Sequence, residues 1–167
     1  QRELQLIRGH PATPVILMPM GAELTAIPDR EKTLSRLFPS DGHEAGNEVL
    51  MVGTLEPRKG HEFVLKAFDI LWHKGVDLRL IIVGQPGWKT RKLQRSLVSH
   101  PQFGRRLFWF TDMGDSELAA AYDAAALVVA ASVAEGFGLP VLEAIVRGRL
   151  VLARDIPVFR EQCHPSV

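Results

Sequence analysis

At 167 residues, with 46% hydrophobic and 23% charged content, the chain can bury the core of one domain and needs no disulfide or metal staple. A net charge of +1, without a run of about five or six like charges, gives no field for a nucleic-acid duplex and excludes nucleic acid as a partner. Cys163 is the sole cysteine, so an internal disulfide is ruled out and a reducing, cytoplasmic setting is expected.

From residue 1 to about 47 the organisation is loose, because Pro11, Pro14, Pro19, Pro28 and Pro39 interrupt every candidate helix. Val15-Ile16-Leu17-Met18 has strand character, and residues 33–38 suit one or two helical turns. Residues 1–47 therefore read as a linker and 48–167 as the folded domain. The chain opens on Gln1 rather than methionine, from which we expect it to have been cut from something longer. Residues 118–134 are apolar but contain Asp123 and number 17, fewer than the about 20 of a membrane span.

A regular pattern begins at residue 48. The run 48–54 is a mostly apolar strand ending near Gly53, and 61–74 places Val64, Ala67, Phe68 and Leu71 on one helical face with Gly75 as its stop. A second strand follows at 78–83, with Gly84-Gln85-Pro86-Gly87 at its carboxyl end, then a basic helix at 89–98 and a third strand at 107–110. Asp115 is the expected cap of a helix over 116–124, and Glu117 favours its dipole. A fourth strand at 127–131, a helix at 140–147 closed by Gly148 and a fifth strand at 150–153 complete the pattern. Strands alternating with short helices imply a doubly wound parallel sheet, a Rossmann-like α/β three-layer sandwich of five or six strands.

The chain is organised around Glu135-Gly136-Phe137-Gly138-Leu139-Pro140-Val141-Leu142-Glu143, a glycine-rich loop opening into a helix with a carboxylate at each end. Pro140 suits the first turn, leaving the amides of Phe137, Gly138 and Leu139 free at a helix start, where the dipole favours a phosphate or diphosphate. Glu135 and Glu143 would repel that anion, so they are expected to address neutral hydroxyls on either side of it. Valine stands where a dinucleotide fingerprint has its third glycine, which disfavours a nicotinamide enzyme. Taken alone, the loop reads more readily as a tight turn with two solvated glutamates.

In the strand order 3-2-1-4-5 the first and fourth strands are neighbours, so Arg58 and Lys59 lie at the same sheet edge as the glycine loop. There they would supply positive charge to a diphosphate, with Thr54 adding a hydroxyl; a solvated loop pair is the other reading. No Asp-x-Asp, His-Glu-x-x-His, Cys-x-x-Cys or Gly-x-x-x-x-Gly-Lys-Ser/Thr occurs, so no metal ligand set is expected. The six histidines have no ligand spacing and are expected to be surface or packing residues. Of the tryptophans, Trp88 is expected to be the exposed one.

The segments Val52-Gly53-Thr54-Leu55-Glu56-Pro57-Arg58-Lys59-Gly60, Leu80-Ile81-Ile82-Val83-Gly84 and the Glu-x7-Glu element of Glu135 and Glu143 together resemble the donor-binding half of a retaining glycosyltransferase of family 4, or group 1. The resemblance covers about residues 15–162. It implies one half of a GT-B fold, the C-terminal Rossmann-like domain, and a nucleotide-diphosphate sugar as substrate with no cofactor or metal. It also implies a glycan or lipid-linked acceptor held by an N-terminal domain not present here, and peripheral membrane contact of the full-length enzyme. By likeness, Glu135 would be the catalytic-site carboxylate near the reacting sugar and Glu143 would hold the ribose. The amides of Phe137, Gly138 and Leu139 would hold the diphosphate with Lys59, and Gly84 would border the base. Many members carry arginine where this chain has Thr54, so Arg58 is expected to stand in for it. The Thr-Leu-Glu-Pro-Arg-Lys variant resembles mannosyltransferases that use GDP-mannose. A non-catalytic nucleotide-binding module and an interaction domain are the other function classes.

Overall fold

The structure is a computed structural model that describes residues 46–163, together with the helical positions Thr33 and Leu37. The strand expected at 15–18, most of the helix expected at 33–38 and nearly all of the linker lie outside the described residues.

Five strands form one parallel sheet in the order β3-β2-β1-β4-β5, as expected from the alternating pattern. They are β1 (Glu48–Val52), β2 (Arg79–Val83), β3 (Leu107–Phe110), β4 (Leu127–Ala130) and β5 (Leu150–Ala153). The helices are α1 (His61–His73), α2 (Arg91–Val98), α3 (Asp115–Ala124), α4 (Leu139–Val146) and α5 (Pro157–Gln162), and a 3-10 turn occupies Pro57–Lys59.

Strand residues alternate between two cores because successive side chains point to opposite faces. Val49, Met51, Leu80 and Ile82 pack with Val64, Phe68 and Trp72 of α1 and Leu97 of α2. Leu50, Ile81 and Val128 pack on the other face with Ala121 and Tyr122 of α3 and Ala144 of α4. The sandwich thus has three layers. Leu50, Leu80 and Ile81 are fully buried, each stabilising by about 1.5–3 kcal/mol, so truncating any of them to alanine would open a costly void.

The helix ends follow the local chemistry. Gly75 closes α1, its N–H meeting the Trp72 oxygen while that of Val76 reaches back to Leu71, and Gly148 and Arg149 repeat the motif behind α4. Three starts differ from expectation, α4 by one residue at Leu139. The second helix begins at Arg91 rather than 89, because Lys89 has φ 54, incompatible with a helical turn, and Thr90 occupies the cap. The third begins at Asp115 itself: Gly114 takes the cap position, and its N–H donates to the Glu117 carboxylate at 2.9 Å.

The sheet is not uniformly zipped. Along β1, five residues pair with β2, whereas only Val49 and Leu50 pair with Leu127 and Val128 of β4. Beyond them the loops after the two strands meet instead. The Val133 N–H donates to the Arg58 oxygen at 2.8 Å, and Gly60, with φ 79, lies so near that a Cβ there would sit 2.6 Å from the Ala131 oxygen. Only glycine fits. This is the switch point at which the chain's winding reverses. Among the described residues, no helix is long and apolar enough to cross a membrane.

Candidate functional site

Glu135 is the centre of the crevice between the ends of β1 and β4. Its Oε1 accepts from the Lys59 ammonium at 2.5 Å and from the Ser132 hydroxyl at 2.7 Å, and its Oε2 accepts from Arg58 Nη1 at 3.0 Å. Arg58 also reaches Glu56, with Nε 2.7 Å from Oε2, and its Nη1 donates to the Ala134 oxygen. The Glu135 side chain is only 8% exposed and that of Lys59 only 12%. Burial works to raise the Glu135 carboxyl, but the hydrogen bonds from Lys59 and Ser132 and the nearby positive charges outweigh it and hold the group below the usual range. Burial likewise works against the Arg58 charge, and Glu135 and Glu56 reverse the balance and raise it.

This pairing adds a feature that the sequence did not give. Arg58 and Lys59 stand beside the glycine loop, and there they form with Glu56 and Glu135 a cluster of two cations and two carboxylates that is neutral as a whole. The reason is geometric: the loops are joined backbone to backbone, which brings opposite charges within hydrogen-bond distance.

The glycine loop is shaped from below by α5, which the sequence pattern did not reveal. Gly138 has φ 81, and a Cβ built on it would lie 2.6 Å from the Phe159 ring. The Gln162 side-chain amide donates to the Phe137 oxygen. Phe137, Gly138 and Leu139 donate no backbone N–H to any other described residue. Gly138 is the cap of α4, Leu139 its first residue and Pro140 its second.

On α4, Glu143 accepts at Oε2 from the Tyr122 hydroxyl at 2.7 Å. Tyr122 is buried and its phenol is pushed well above its ordinary value, first by burial and then by the Glu143 charge, so it stays a proton donor. Thr54 and Gly84 meet at the ends of β1 and β2: a Cβ on Gly84 would approach the Thr54 nitrogen to 3.1 Å. The Trp109 indole donates to the Gly84 oxygen at 3.0 Å.

Three contributors were not read from sequence: Ser132, Tyr122 and the Phe159–Gln162 floor. Ser132 sits just past the carboxyl end of β4, a position that could have signalled it; Pro157 at a helix start could have signalled α5. Among the histidines, His61 is packing rather than surface. It is 1% exposed, neither ring nitrogen makes a well-formed hydrogen bond among the described residues, and burial followed by the Lys59 charge outweighs a backbone contact with Gly53 and lowers its value to about 4. Trp88 is 57% exposed, as expected.

The family of glycosyl transferases group 1 matches residues 36–167. The chain is 39% identical over 161 residues to a serotype-specific mannosyltransferase, WbdA, of Escherichia coli, a match that covers 93% of this chain and 19% of that protein. It is 34% identical over 117 residues to the O-antigen chain mannosyltransferase B of Escherichia coli, covering 68% of this chain and 30% of that one. The chain therefore spans about a fifth to a third of the length of these relatives. Among solved structures, Anabaena HepE in complex with UDP and glucose superposes with a TM-score of 0.68 at 20% identity, over 88% of this chain and 40% of that one. Its Rossmann-like sheet is the fold of GT-B glycosyltransferase domains. Matched over residues 36–167 and similar in sequence to these mannosyltransferases, the chain belongs to the group 1 glycosyltransferases.

Proposed function

We propose that this chain is the donor-binding domain of a retaining, metal-independent family 4 glycosyltransferase that moves a sugar from a nucleotide-diphosphate sugar, GDP-mannose first, to a glycan or lipid-linked acceptor. The observation that carries this reading is Glu135 held by Lys59, Arg58 and Ser132 beside the open amides of α4. A diphosphate entering there meets backbone N–H groups at the positive end of a helix. Lys59 has three donor hydrogens and Arg58 five, so both can turn partly toward phosphate while Glu135 keeps a bond. Preset donors of this kind stabilise the charge that develops on a leaving diphosphate, the task a bound cation performs elsewhere.

As the cations turn, the Glu135 carboxylate becomes available to the hydroxyls of the donor sugar near the reacting carbon. Glu143, farther into the same helix, addresses the ribose, Thr54 adds a hydroxyl toward the diphosphate, and Gly84 borders the base. The mannosyltransferase relatives support mannose as the sugar, and the UDP complex of HepE supports a nucleoside diphosphate as the handle. The acceptor is held by a further domain of the longer protein, in the cytoplasm and with at most peripheral membrane contact. Cleft closure supplies water exclusion and an attack distance of about 3–3.5 Å, so this chain alone binds donor and transfers nothing.

Calorimetric and ligand-observed NMR titrations of the chain with GDP, UDP, ADP and GDP-mannose test the reading, together with incubation of radiolabelled GDP-mannose and candidate acceptors. Dissociation constants of roughly 0.1–1 mM are expected from one wall of a cleft. Acceptor-dependent transfer by the chain alone, or no binding of any of these nucleotides, overturns it.

A further inference from the structure

Tyr122 is the one tyrosine of the chain, and it sits 21 residues upstream of the carboxylate it touches. Its ring is 2% exposed in the layer between the sheet, α3 and α4. Its hydroxyl reaches the first turns of α4. It lies 2.7 Å from Glu143 Oε2 and 3.4 Å from the Pro140 oxygen, so its single proton goes to Glu143. Among the described residues, Oε1 of Glu143 takes no hydrogen bond. One oxygen of the carboxylate is thus fixed and the other open.

We infer that Tyr122 is a positioning residue for Glu143: it pins one carboxylate oxygen from within the core so that the other faces the vicinal hydroxyls of a nucleotide's ribose. This rests on the reading of Glu143 as the ribose contact. A glutamate free to rotate would lose side-chain entropy on binding, whereas one fixed in advance has lost it on folding. The donor is neutral. A lysine or arginine in its place would cancel the carboxylate's charge, while the phenol orients it and leaves it a full acceptor. Buried as it is, Tyr122 keeps its proton throughout the ordinary pH range. The arrangement selects ribose over a sugar ring lacking the 2′ and 3′ hydroxyls, because the open oxygen then finds no donor.

The test compares GDP, UDP and ADP with their 2′,3′-dideoxy forms on the wild-type chain, Tyr122→Phe, Glu143→Gln and the double variant. Tyr122→Phe is expected to weaken the ribonucleotides about three- to tenfold while leaving the dideoxy forms unchanged, a split that loosened packing would not produce. In the E143Q background the same change should be silent. Equal weakening of both nucleotide classes by Tyr122→Phe, or no weakening of either, overturns the positioning role while the ribose reading stands, provided wild type discriminates and Glu143→Gln loses that discrimination. A wild type that binds both classes alike refutes the ribose reading and the inference with it. Should Tyr122→Phe fold poorly, the double variant, which removes donor and charge together, carries the comparison: ribonucleotide binding weaker in it than in Glu143→Gln alone refutes the role.

Discussion

Replacing Lys59 with alanine tests the neutral cluster directly. In the wild type, the ammonium is largely out of water and 2.5 Å from Glu135, so it is already ordered for an anion that arrives beside it. A charge-assisted hydrogen bond of this kind contributes about 1.5–3 kcal/mol, so its loss should weaken a nucleoside diphosphate roughly 10-fold to 100-fold. A second effect adds to the first. Without Lys59 the cluster holds Glu56 and Glu135 against Arg58 alone and turns net negative. That net negative charge repels the phosphates, an effect on the order of 1 kcal/mol for partly solvated charges, or a further fivefold. Lys59→Ala/Glu135→Gln restores neutrality and should regain that fivefold, though not the lost hydrogen bond. Saturation-transfer NMR titrations with GDP at fixed ionic strength read all three proteins. An unchanged affinity in Lys59→Ala, or a double variant no better than the single one, refutes the electrostatic account.

Three further outcomes are expected. Glu135 has a folded value below the ordinary 4.5, so the stability it contributes is present above that value and lost as the pH falls through the folded one. The difference in urea midpoint between wild type and Glu135→Gln should therefore shrink as the medium is acidified below about 4.5. His61, ordinarily at 6.5 and here lowered to about 4, takes up its proton more readily unfolded, so stability falls between those values by about 3 kcal/mol. His61→Leu should flatten that part of the profile; an unaltered slope counts against a neutral buried imidazole. Gly138→Ala must place a methyl against the Phe159 ring in a left-handed backbone, and calorimetric melting should register a loss of about 1–3 kcal/mol, while an unchanged Tm would mean that the loop yields freely.

Much of the fold was legible because parallel strands buried on both faces read as short apolar runs, and Val49-Leu50-Met51 and Leu80-Ile81-Ile82 are such runs. Their order then follows from handedness and from strands that alternate with helices. The residues at the strand ends were legible too, as Lys59, Arg58 and Glu135 carry charge where loops converge. Their pairing was not. It depends on Gly60 lying against Ala131 and on Val133 bonding Arg58, contacts about 70 residues apart in sequence that no local pattern encodes. Tyr122 escaped for a similar reason: within Ala119-Ala120-Ala121-Tyr122 it reads as another core residue, and only the meeting of α3 with α4 gives its hydroxyl a partner. Two of the shifted helix starts have local causes, a left-handed Lys89 and a reach-back by Glu117, that outweigh the residue preferences at those positions.

The hydrogen bond from the Trp109 indole to the Gly84 oxygen has a practical consequence in optical terms. The chain carries three indoles in three settings: Trp72 buried in the core and bonded to the Leu78 oxygen, Trp88 exposed under the Lys89 ammonium, and Trp109 half-buried with its N–H tied to the end of β2. Trp88 emits as a solvated side chain and contributes a background that a phenylalanine replacement removes. What remains is an internal standard and a reporter, since Trp72 is set in the core, while Trp109 is linked by one hydrogen bond to the backbone at the end of β2, beside the strand whose end borders the crevice. In the Trp88→Phe variant, tryptophan fluorescence is therefore expected to separate occupancy of the crevice from melting of the fold, without a label.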